Sequence, residues 1–331
     1  MVLKECIVDT LKGGYCGGVS VAPLIGFHSA WLFNVSFKEA VSSGELMAEL
    51  QVRAAKLYGV HAVFTYMDLT FEPEALGAGI IWRDVPAIGE PAPLERALEI
   101  VDIGDEYLSR GRIPVFLRAV KSLSERATDL LTCAYVSGPL TLTAEAFGVE
   151  RVIKLVRANP SLLKELIERT NRLTKLLASE LVASGAECIM VLEPVGALIS
   201  PRSFRQLLLP SLKDLINSVK SRGALSILHI CGNANHLVEL MAECGPHALS
   251  IDKFVDVADA LRRAPNVAIM GNVGTGEVYT LSPSEVYELG CEAVAKSKGR
   301  RFVLSTGCEV PPYTPPENIK ALVKAAKCAP G

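Results

Sequence analysis

The sequence predicts a single-domain (β/α)8 barrel, a TIM barrel of the α/β class, and three observations point to it. Eight short apolar runs rich in β-formers, at residues 20–26, 62–68, 133–139, 188–194, 225–231, 248–252, 267–273 and 302–308, end in glycine, proline or polar turns. Stretches of helical periodicity separate most of them, the alternation of a parallel sheet wrapped by helices. The chain has 331 residues, 50% hydrophobic and 21% charged, which suits one large core spanning residues 1–331.

Taken in order, Gly13-Gly14-Tyr15-Cys16-Gly17-Gly18 comes before the first strand. It lacks the preceding strand and the lysine of a phosphate-binding loop, so it reads as a flexible lead-in to the barrel. A long insertion follows the second strand, with a Pro-rich loop from Pro86 to Pro93 and then helices through about Arg126, and it is expected to cap one end of the barrel. Ser161 opens a long amphipathic helix after Pro160, and Asn235 to Cys244 forms another that stops at Gly245-Pro246. Gly271-Asn272-Val273-Gly274-Thr275-Gly276 fits a strand-to-helix turn better than a dinucleotide fingerprint.

Composition excludes some functions. A formal net charge of −2 and a pI near 6.3 give no nucleic-acid surface. No apolar run reaches the roughly 18 residues of a membrane span, and Met1-Val2-Leu3-Lys4-Glu5-Cys6 lacks the pattern of a signal peptide. A soluble, cytoplasmic protein is expected. Nine cysteines lie scattered without the spacing of a disulfide framework, so most are expected to be reduced, with Cys133, Cys188 and Cys291 as small core residues.

Barrel enzymes place their chemistry at the carboxyl ends of the strands. Those ends carry Asp68, Glu193, His229, Cys231, Asp252, Asn272 and Cys308. Side chains alternate along a strand, so His229 and Cys231 project to one side while Leu228 and Ile230 project to the other. Cys308 stands at the tip of the run from Arg301. One imidazole and two thiolates form a zinc ligand set with a position left open, the mark of a catalytic rather than a structural site. His28, His61, His236 and His247 have no spaced partners and belong to surface or core.

Several segments carry a family resemblance: Leu228-His229-Ile230-Cys231-Gly232-Asn233, Ala248-Leu249-Ser250-Ile251-Asp252, Met270-Gly271-Asn272-Val273, and Leu304-Ser305-Thr306-Gly307-Cys308-Glu309-Val310-Pro311 with Thr314-Pro315-Pro316-Glu317-Asn318-Ile319. Ser137-Gly138-Pro139-Leu140-Thr141 and Leu192-Glu193-Pro194 support them. Together they resemble the uroporphyrinogen decarboxylase superfamily, and within it the zinc-dependent methylcobamide:coenzyme M methyltransferases. The resemblance runs from about Val21 onward. It implies that His229, Cys231 and Cys308 hold Zn2+, with Asp252 an acidic neighbour able to supply a fourth ligand.

Asp68, Glu193 and Asp252 are then the expected catalytic pocket residues, accepting the thiol proton or orienting ligands, and Asn233 and Asn272 the expected contacts to a cofactor. The implied activity moves a methyl group from a methylated corrinoid protein to a small thiol such as coenzyme M, as in methanogenesis. Two thiolates and one imidazole leave zinc without net charge, so a bound substrate thiolate stays electron-rich. The chain departs from the family in its short amino terminus and in Glu193, where aspartate is common.

Two other readings compete. A lyase of the decarboxylase type would act without zinc and would need arginines for its substrate's carboxylates, yet the first arginine here is Arg53. A non-catalytic corrinoid- or zinc-binding subunit would close its metal with four protein ligands. Arg202 and Arg205 read as a solvated helix face, with an anionic tail such as a sulfonate the competing use.

Overall fold

Among residues 3–329, which the computed structural model describes, ten strands form: β1 (Ser20–Val21), β2 (Ala62–Phe64), β3 (Gly79–Trp82), β4 (Pro86–Glu90), β5 (Leu131–Ser137), β6 (Cys188–Leu192), β7 (Leu225–Ile230), β8 (Ala248–Ile251), β9 (Ala268–Val273) and β10 (Phe302–Thr306). All but β3 and β4 fall in the expected apolar runs, and these eight make one parallel sheet in the order β1-β10-β9-β8-β7-β6-β5-β2. Between β1 and β2 the His61 N–H donates to the Val21 carbonyl at 2.9 Å, drawing the two edges together. The result is the expected (β/α)8 barrel, its parallel strands joined by the crossover connections that parallel neighbours require.

Strand alternation sorts the core into two layers. Inside the barrel, Leu225 and Ile227 of β7 meet Leu131, Cys133 and Tyr135 of β5, Cys188, Met190 and Leu192 of β6, and Ala248, Ala268, Met270 and Val303. Leu228 and Ile230 belong instead to the outer layer, packed with Leu212, Leu215 and Ile216 of the helix Leu209–Ser221. A period of two therefore carries His229 and Cys231 inward, toward the carboxyl-end mouth.

The helix Leu3–Leu11 closes the opposite end, for Ile7 and Leu11 are buried in the inner layer. Each such burial stabilises by roughly 1.5–3 kcal/mol. The glycine-rich segment behind it, expected as a flexible lead-in, is tied back through a Cys6–Cys16 disulfide whose Cα atoms are 5.2 Å apart, a span a bridge allows. Cys291 also departs from expectation: it is bridged to Cys328 at a Cα separation of 5.5 Å, joining the helix Pro283–Ser297 to the segment just after the helix Pro316–Ala325 rather than simply filling the core. Cys133, Cys188, Cys231, Cys244 and Cys308 remain free thiols.

The stretch expected as a Pro-rich loop contains β4, which pairs antiparallel with β3. Pro86 occupies the first position of an edge strand, where its missing N–H leaves no ladder bond unmade. The rest of the insertion is helical and ends in Ile113–Arg126. The long helix spans Pro160–Ala183, with Asn159 accepting the Leu162 N–H at its start and Pro160 in the first turn. Among the described residues, no helix is long and apolar enough to cross a membrane.

Candidate metal centre

His229 is the penultimate residue of β7, Cys231 follows the strand, and Cys308 lies two residues beyond β10. A ring nitrogen of His229 and the two sulfurs lie within 4.8 Å of one another, so the barrel brings together the three residues read as ligands. His229 is 1% exposed, whereas both cysteines are half-buried, so the cluster is sealed on its imidazole side and accessible past the sulfurs.

The donor atoms fit a metal. His229 Nδ1 is 3.0 Å from Ser250 Oγ, while Nε2 is buried without any hydrogen-bond partner. An orphaned buried polar atom costs about 1–3 kcal/mol unless something outside the chain satisfies it. The neighbouring Cys308 thiol holds the Cys231 thiol below its ordinary range, against the opposing effect of burial. The same proximity, with burial, pushes Cys308 up. One thiolate is thus already favoured, and a cation beside it would favour the second.

Carboxylates brace the loops around this cluster. Asp252 Oδ2 accepts the Gly232 N–H at 2.8 Å and Oδ1 accepts the Lys253 N–H at 2.7 Å. Gly307 packs so closely on Asp252 that a β-carbon there would collide with Oδ1. Asp252 therefore touches the turn after Cys231 and the residue before Cys308.

Glu309, which the sequence reading did not single out, is half-buried and accepts the Phe27 N–H at 3.2 Å and the Met67 N–H at 2.9 Å. Burial raises its carboxyl to about 8. Gly26, at φ +48°, leaves the room that Glu309 fills. Glu309 thereby fastens the Cys308 turn to the loops after β1 and β2.

The other expected site residues are not among the three clustered donors, although the Glu193 N–H donates to the His229 carbonyl at 2.9 Å. Glu193 is fully buried at the start of the helix Pro139–Phe147, accepting Leu140 N–H at 3.1 Å, Thr141 N–H at 2.7 Å and the Thr141 hydroxyl at 2.5 Å. Burial raises it to about 7 in spite of these bonds. It caps a helix, the use that competes with a pocket role.

Asp68 accepts the Thr70 N–H and hydroxyl at 2.8 and 2.6 Å and pairs with Arg112. Arg112 also donates to Glu74 at 2.7 Å and lies over Trp82 of the β3–β4 hairpin, 5.2 Å from the ring. Asn272 donates to the Val255 carbonyl at 2.7 Å, and Asn233 is exposed in the loop after Cys231. Arg205 pairs with Glu243 at 2.8 Å on the surface, a solvated helix face.

Ser250 and Arg112 were also missed. Ser250 stands two residues before Asp252 on β8, the spacing that puts both on one face, but its pairing with His229 depends on inter-strand register. Arg112 lies 44 residues from Asp68, with no local pattern linking them.

Comparison with known proteins places the chain in context. The family model described as uroporphyrinogen decarboxylase (URO-D) matches residues 24–328. The methylcobamide:CoM methyltransferase MtaA of Methanosarcina barkeri is 32% identical over 299 residues, covering 88% of this chain and 86% of its own length. The methylcobamide:CoM methyltransferase MtbA of Methanosarcina mazei is 28% identical over 297 residues, covering 87% and 86%. A solved methyltransferase structure from Methanosarcina mazei superposes with a TM-score of 0.90 at 29% identity, over 98% of both chains.

Proposed function

Since the chain belongs to the uroporphyrinogen decarboxylase family, we propose that it is the methyltransferase kind of member: a zinc-dependent enzyme that carries a methyl group from a methylated corrinoid protein to a small thiol, with coenzyme M the first candidate. The observation that carries this reading is the convergence of one imidazole and two thiols within 4.8 Å at the mouth of the barrel. Relatives named as methylcobamide:CoM methyltransferases support the choice of reaction. Zinc bound there would draw the proton from an incoming thiol and present its sulfur as a thiolate at neutral pH.

The chain's own residues supply access and rigidity. His229 and its surroundings close the inner side, so the thiol approaches past Cys231 and Cys308. Asp252 and Glu309 hold the two cysteine turns at a fixed separation. In the transfer the S–CH3 bond forms as the Co–C bond breaks, cobalt keeps the electron pair as Co(I), and the thiol proton passes to solvent. Arg112, already committed to Asp68 and Glu74, is a poor anchor for a decarboxylase substrate's carboxylates.

The test is metal analysis of the purified protein, then mixing the zinc form with methylcobalamin and a panel of thiols. The expected result is one zinc per chain and a thiol-dependent Co(I) spectrum. A protein that holds no zinc, or that leaves methylcobalamin unchanged with every thiol, overturns the proposal.

A further inference from the structure

Among the described residues, His229 Nε2 is buried without a partner, while Nδ1 lies 3.0 Å from Ser250 Oγ. The pairing follows from the sheet. β7 and β8 run parallel with His229 directly beside Ser250, so the imidazole and the hydroxyl point into the barrel from adjacent strands. Ser250 is fully buried, and among the described residues its hydroxyl has no side-chain hydrogen-bond partner besides the His229 ring.

A neutral imidazole carries one proton on one of two nitrogens, and a metal takes only the nitrogen without it. We infer that Ser250 is a positioning residue for His229, accepting a hydrogen bond from Nδ1–H so that the lone pair of Nε2 is kept for the metal. This rests on the reading of His229 as a ligand and adds which nitrogen binds and what selects it. Without the serine oxygen the Nδ1–H would be buried with no acceptor, the ring would turn or change tautomer, and the metal would face a proton instead of a lone pair. Partners of this kind alter metal affinity by about 10- to 100-fold.

The test uses the full chain. Zinc dissociation constants are measured by chelator competition for the wild type, Ser250→Ala and Ser250→Thr, and the His229 tautomer is read from 15N shifts in metal-free and zinc-loaded protein. Ser250→Ala is expected to weaken zinc binding about 10-fold or more with the barrel still folding cooperatively, and Ser250→Thr, which keeps a hydroxyl and suits a strand, to retain it. The proton is expected on Nδ1 in both wild-type forms.

Equal zinc affinity in wild type and Ser250→Ala, or a proton on Nε2, overturns the inference. A wild type that binds no zinc overturns the ligand reading instead, and the metal-free tautomer still decides the role of Ser250.

Discussion

Asp252 receives the Gly232 amide on one carboxylate oxygen and carries Gly307 packed against the other, so a single side chain sets the spacing between the turns that hold Cys231 and Cys308. Both oxygens already accept backbone amides, which suits a brace better than a fourth ligand. Asp252→Ala is expected to lower zinc affinity about 10-fold while leaving the site able to fill at high zinc. Gly307→Ala, whose new methyl would push Asp252 aside, should do the same. Chelator competition with circular dichroism checks both; a complete loss of the site in Asp252→Asn, which retains an acceptor oxygen for Gly232, would instead identify the carboxylate as a ligand.

Cys308→Ala is expected to lose both metal and methyl transfer while the barrel stays folded. Cys308 lies beyond β10 and is half-buried, so its removal opens no cavity in the inner layer. Stripping zinc with a chelator should have the same outcome, because the core is built without it. Elemental analysis, the Co(I) assay and thermal melting give the three readouts, and full activity in this variant would exclude the ligand assignment.

Arg112→Ala addresses the buried pair behind the β3–β4 hairpin. The Asp68 side chain is 0% exposed and that of Arg112 9%, and removing the guanidinium strands a carboxylate in the interior. The expected cost is about 3–5 kcal/mol in urea unfolding, with the hairpin loosened because Trp82 loses the cation on its face. A change below about 1 kcal/mol, the scale of a surface pair, would show that Asp68 finds another partner.

Glu72 gives a pH dependence of defined sign. It is fully buried, accepts the Ser137 N–H at 2.5 Å and the Tyr107 hydroxyl at 3.1 Å, and burial raises its carboxyl to about 7. Its folded pKa lies above the unfolded value, so the folded state binds the proton more tightly. The associated stability is present below about pH 4.5 and is lost as pH rises through about 7. Glu72→Gln copies the protonated form and can keep both bonds, donating to Tyr107 instead of accepting. At pH 8 it should exceed the wild type by on the order of 3 kcal/mol and match it near pH 5. Parallel stability curves for the two proteins from pH 5 to 8 would refute the shift.

The barrel and the clustered side chains at its mouth were legible for different reasons. Apolar runs closed by glycine or proline locate strands because a buried parallel strand must be apolar on both faces, and all eight runs became strands. His229 and Cys231 share a face through the two-residue period alone, which is a local property. The β3–β4 hairpin was masked by its prolines, and the nine-residue helix Leu3–Leu11 is too short for its periodicity to stand out before the glycine-rich stretch.

By itself, then, the chain's order of residues determined the alternation of elements and the inward face of β7 that His229 and Cys231 share, because each depends on neighbours a few positions apart. Tertiary structure alone decided that Ser250 stands beside His229, that Asp252 and Glu309 tie down the cysteine turns, and that Glu193 and Asp68 are spent on a helix cap and an ion pair. Those contacts join residues 20 to more than 200 positions apart. Strand register and barrel closure, rather than any local pattern, bring such residues within hydrogen-bonding reach.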